Sequence, residues 1–163
     1  MKRRLTIFAL LASLAACGVP ADPPRDEALA AEPTPLTAAH LADLIAADGA
    51  AHTVAVLTGP ADPTGLDPIF AGIATGDAAW LSVVPSLRPV VGGVYADGLA
   101  DALARALPMQ PSGVLTALQA SGGASPRICR ATGDPDMIAA VEGVADPALR
   151  DVRTDCLAFL RGQ

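Results

Sequence analysis

The chain holds 2 histidines, His40 and His52, and most metal-ligand, general-base and acyl-transfer chemistry near neutral pH would have to draw on them. A zinc site calls for histidines one helical turn apart or a thiolate cluster. His40 and His52 stand on separate segments, so no joint metal site is expected. A nucleophilic serine needs a positioned base, and Ser82, Ser86, Ser112, Ser121 and Ser125 lie in neither G-x-S-x-G nor S-x-x-K. Asp134, Asp136 and Glu142 approach the acidic spacing of a calcium loop. Ile138 stands where a third oxygen ligand belongs and the central glycine is absent, so Asp134 reads instead as a helix cap. Gly92-Gly93 and Gly122-Gly123 lack the strand–glycine–helix setting of a nucleotide site, and the only lysine is Lys2, far from either pair. Asp97 and Asp101 could in principle form a glycosidase carboxylate pair. Arg105 follows at the same four-residue step, and the trio reads as a solvated charge ladder on one helix face. No metal and no cofactor are expected, and an enzyme ranks last among the functional readings.

The elements that would carry these residues are short helices punctuated by Pro and Gly. Thr37 is placed to cap a helix with Leu41, Leu44 and Ile45 at helical spacing and Gly49 at its end. The run from His52 to Leu57 fits a strand or a helix, and helix is preferred. Residues 60–65 read as a loop. Asp67-Pro68, Asp134-Pro135 and Asp146-Pro147 each announce a helix, with the Asp placed to cap it, because proline in the first turn sacrifices no hydrogen bond. Asp77 opens another, running to Val84. Leu99, Leu103, Ala106 and Leu107 share one face of an amphipathic segment from Asp97 to Leu107, and Ser112 to Leu118 continues with Val114, Leu115 and Leu118. The stretch from Ala120 to Pro126 reads as a flexible joint before Cys129. Two further helices follow, Met137 to Val144 and Pro147 to Leu160. With Phe70, Trp80, Tyr95 and Phe159 as the aromatic residues beyond the N-terminal run, the core must be built from Ala, Leu, Val and Ile, which suits close-packed helices better than a β-sandwich. The expected fold is all-α, an irregular stack of short helices. Over residues 67 to 118 the pattern resembles HEAT-like helical proteins of the bacterial envelope.

The N-terminus has a different character. Met1-Lys2-Arg3-Arg4 is followed by an apolar run, Leu5 to Leu14, too short for a permanent membrane span, and then by Leu14-Ala15-Ala16-Cys17-Gly18. This resembles the lipobox of bacterial lipoproteins. The resemblance implies a signal peptide over residues 1–16, acylation of Cys17, and attachment to a membrane through the acyl chains. Gly18 in place of Asp implies, by the sorting habit of Gram-negative lipoproteins, the periplasmic face of the outer membrane. Pro20, Pro23, Pro24, Pro33 and Pro35, interspersed with Asp22, Asp26, Glu27 and Glu32, make residues 17–36 a tether, leaving 37–163 as one helical domain.

Of 11 basic residues, Lys2, Arg3 and Arg4 lie in the signal, which leaves 8 against 17 acidic and makes nucleic acid an unfavourable partner. Once Cys17 carries lipid, Cys129 and Cys156 remain, and an even pair in an exported chain reads as a disulfide. Two buried free thiols or a redox pair are the alternatives, although the C-x-x-C spacing of redox enzymes is absent. Trp80 reads as the hub of the core, or, if exposed, as a contact for a protein partner. The function expected is protein binding, as a scaffold or accessory subunit of an envelope complex. A small inhibitor or immunity-type protein against an envelope-acting toxin is the second reading.

Overall fold

The computed structural model of the protein describes residues 35–59, 65–130 and 134–163. The expected signal, Cys17 and the expected tether up to residue 34 lie outside the described residues, as does the loop expected at 60–65 except for Gly65. The described chain is all-α, as expected: α1 (Ala38–Asp48), α2 (Ala50–Leu57), α3 (Asp67–Ala74), α4 (Ala78–Leu87), α5 (Gly93–Ala106), α6 (Pro111–Ala120), α7 (Pro135–Glu142) and α8 (Arg150–Leu160), with a 3-10 turn at Pro147–Leu149 leading into α8. The ambiguous run at 52–57 is helical and belongs to α2.

Four element starts, those of α1, α4, α7 and the 3-10 turn, follow from single side chains. Thr37 Oγ1 accepts a hydrogen bond from the His40 N–H at 3.2 Å, and Gly49, at φ +82°, ends α1 while its own N–H closes on the Ile45 carbonyl. Asp134 accepts from the Asp136 N–H at 3.0 Å and Asp146 from the Ala148 N–H at 2.9 Å. Asp67 does not cap α3, contrary to expectation. Leu66 before it is already helical, at φ −90° and ψ −12°, and its carbonyl accepts from the Phe70 N–H. The Asp67 carboxylate therefore sits inside the first turn, where the helix dipole favours it. Asp77 accepts from two backbone donors, Ala79 at 2.9 Å and Trp80 at 3.3 Å. Replacing Asp77 with Ala is expected to cost about 1 kcal/mol, the usual value of an N-cap, measured as a lowered urea midpoint.

α4 and α5 depart furthest from their expected bounds. α4 runs through Pro85 to Leu87, and the Arg88 N–H still reaches the Val84 carbonyl at 2.9 Å. α5 begins at Gly93 instead of Asp97, with Gly92 as an N-cap that offers no side-chain bond.

Packing is built from stacked hairpins. α3 lies chiefly on α5 and α4 on α6, so the pairs α3–α4 and α5–α6 form two stacked layers. α1 and α2 pack against α4, while α8 and the 3-10 turn pack against α6. Leu41, Ile69, Ile73, Val84, Leu103, Leu107, Leu115 and Leu118 are sealed in a common apolar core. Close approach depends on side chains that are absent. A Cβ on Gly98 would stand 2.7 Å from the Phe70 ring, and one on Gly113 would stand 2.8 Å from the Leu81 Cδ1. These glycines bring α5 against α3 and α6 against α4.

At the C-terminal end Cys129 and Cys156 form a disulfide, with an S–S distance of 2.01 Å and a Cα–Cα distance of 5.2 Å. Both cysteines are fully buried. The bridge joins α8 to the connector between α6 and α7. Arg153 reinforces this end through the Val144 carbonyl, and Arg161 through Glu142.

Candidate functional site

His40 and His52 are exposed, on α1 and α2 respectively. Among the described residues no group of three or more His, Cys, Asp or Glu side chains could hold a metal ion. Ser82, Ser121 and Thr116 each donate to a backbone carbonyl of their own helix, so these hydroxyls serve local structure.

Trp80 is partly buried against the core, between the two alternatives that its sequence context offered. Its indole lies directly over Gly72 of α3, where an added Cβ would come within 2.3 Å of Cε2. One face of the ring is thus committed to the α3–α4 hairpin.

The expected charge ladder on α5 is resolved differently. Asp97 pairs with Arg127 and Asp101 with Arg130, so both carboxylates reach across to the connector that leaves α6. The four-residue step on α5 is met by a three-residue step on the connector, which matches the side chains of one helical face to those of a turn. All four side chains are about half exposed or more, so each pair contributes at most about 1 kcal/mol. They fix which part of the connector lies over α5.

The joint at 120–126 is also pinned. Gly122 and Gly123 take φ of +106° and +92°, and the Gly123 N–H returns to the Leu118 carbonyl at 2.7 Å. The Arg88 Nη1, at the end of α4, donates to the Gly123 carbonyl at 2.7 Å and to Ser121 Oγ at 3.2 Å. Burial lowers the Arg88 pKa from its ordinary value. Its acceptors among the described residues are a carbonyl and a hydroxyl, and neither carries charge.

These elements enclose a pocket of about 190 Å³ between the end of α4, α5 and the connector. Val91, Ala96, Leu99, Ala100, Leu103 and Ile128 form its apolar wall, and Arg88, Ser125 and Arg127 supply the polar groups. Beside it, the segment from Pro89 to Ala96, which joins α4 to α5 and forms the first turn of α5, carries no charged residue. Val94 is 77% exposed and Val90 37%, and a Cβ on Gly92 or Gly93 would meet nothing within 4 Å. The segment therefore projects as an open apolar tip.

Sequence reasoning singled out neither Arg88 nor the pocket. Arg88 lies at a helix end before Pro89, a place where a cation is ordinary, and the pocket exists because the connector folds back over α5. The uncharged stretch Pro89 to Ala96 was the available signal. Among the described residues no helix is long and apolar enough to cross a membrane. Neither a protein-family model, nor a curated protein, nor a solved structure matches this chain.

Proposed function

We propose that this protein is a lipid-anchored binding protein of the bacterial envelope, held by acyl chains on Cys17 and acting as an accessory subunit of an envelope complex. Its contact surface in this reading is the α4–α5 tip. The observation that carries the proposal is the exposure of Val90 before α5 and Val94 in its first turn, on a charge-free segment beside an apolar pocket, since exposed apolar surface of this kind marks interaction sites. The disulfide supports an oxidising compartment outside the cytoplasm. The spacing Leu14-Ala15-Ala16-Cys17 supports the anchor.

The test is site-specific photocrosslinking in cells, using the full-length lipoprotein with a photoreactive residue at position 94, and at the exposed position 151 on α8 as the control. A reproducible envelope protein captured from position 94 and not from 151 is the expected result. Equal capture from both positions, or none from 94, would overturn the assignment of the tip. In parallel, Cys17→Ser is expected to move the protein from the membrane to the soluble fraction, and undiminished membrane association of that variant would remove the anchor from the proposal.

A further inference from the structure

The pocket beside the tip has a chemistry of its own. It combines apolar walls with one guanidinium, Arg88, that is partly withdrawn from water and whose acceptors, Ser121 Oγ and the Gly123 carbonyl, are uncharged. A guanidinium offers five N–H donors in a planar fork, and these two contacts both use Nη1. The second arginine at the rim, Arg127, is engaged by Asp97, so the two cancel and the pocket carries one uncompensated positive charge. That balance fits a monoanion. A phosphate dianion would call for a second free cation, and the pocket has none among its described lining residues.

We propose that this pocket binds a small apolar carboxylate, its apolar body against Val91, Ala96 and Ala100, over a floor of buried Leu99 and Ile128, and its carboxylate on the free edge of the Arg88 guanidinium. The planar fork matches a carboxylate in shape, and low local polarity strengthens the pairing. The lowered Arg88 pKa has the same physical origin, a cation held away from water, and an anion alongside would relieve it. The volume, about 190 Å³, suits a ligand built around one branched aliphatic group. The same chemistry is presented by a free organic acid and by the C-terminal end of a peptide closing in an apolar residue. The proposal depends on the pocket alone and stands apart from the partner assigned to the tip.

The experiment is a titration of the oxidised, full-length protein followed by backbone amide NMR, with N-acetyl-leucine, its uncharged amide, and a tripeptide ending in leucine as probes. N-acetyl-leucine is expected to give saturable shifts centred on residues 88, 99, 103 and 125–128, and the amide to bind at least tenfold more weakly. Arg88→Gln should weaken binding of the acid at least tenfold, consistent with the loss of a hydrogen bond to a charged group. Because Arg88 also holds the Gly123 carbonyl, a second variant leaves it in place. Ala96→Leu fills the pocket from its partly exposed wall, and should abolish binding while leaving the spectrum elsewhere unchanged. Tighter binding of the tripeptide than of the free acid would assign the carboxylate to a chain end, and the reverse order to a free acid. Equal affinity for acid and amide, unaltered binding by Ala96→Leu, or no saturable shift with either acid at millimolar concentration would each overturn the proposal.

Discussion

Removing the disulfide by the paired change Cys129→Ala and Cys156→Ala is expected to lower stability by about 3.5 kcal/mol, the chain-entropy value for a loop of this size. The two cysteines are separated by 27 positions, so the bridge closes a loop containing the end of the connector, α7, the 3-10 turn and the first half of α8. For a domain of this length the loss corresponds to a fall in melting temperature of roughly 10–15 °C. Reduction of the protein should give a fall no larger than this, and a melting curve unmoved by either treatment would refute the stabilising role. Both sulfurs lie in the fully buried core, so part of the loss comes from packing. Comparing reduction with substitution separates the two contributions, because reduction breaks the cross-link while leaving the sulfur atoms in place.

The second large effect concerns a residue with no side chain. Gly72→Ala would place a Cβ within 2.3 to 2.6 Å of three indole atoms of Trp80. The indole is rigid and cannot yield at its tip as a methionine or lysine would, so either the ring swings outward or α3 and α4 part. Overpacking of this kind costs roughly 1–3 kcal/mol, and the upper half of that range is expected here. The chain has 1 tryptophan, so its fluorescence reads the outcome directly. A red-shifted native emission together with lowered stability is the expected pair of results, and a spectrum and stability like those of the parent would show that the ring does not rest on Gly72.

The contrast between these two sites shows what the sequence made legible. The cysteine pair, the caps at Thr37, Asp77, Asp134 and Asp146, and the glycine stop at Gly49 are local or combinatorial signals, decided by one residue and its near neighbours. The stacking of hairpins over α3 to α6 was legible as a rhythm of short apolar helices separated by Pro and Gly. Asp67 was misread because capping depends on the backbone of the residue before it, and Leu66 is helical. The start of α5 was missed because Gly92 and Gly93 carry no capping side chain. Trp80 on Gly72, the Asp97 and Asp101 pairs, and the Arg88 pocket are tertiary. Each requires knowing which helix face meets which segment, and no periodicity in α5 reveals that a connector some 20 residues later folds back over it.

The unequal fastening of the two ends of the stack bears on how the domain would answer to force. α7 and α8 are stapled to the body through Cys129 and Cys156, whereas α1 and α2 are held by packing on α4, with Ala38, Leu41, Thr53 and Val54 as their buried residues. A pull applied from the N-terminal side enters through α1. It meets a short seam of side chains that can separate one after another, and it reaches the covalently closed end last. Under load α1 and α2 would peel away first, lengthening the chain while α3 to α8, with the pocket and the tip, remain folded as a mechanical fuse protects the circuit behind it.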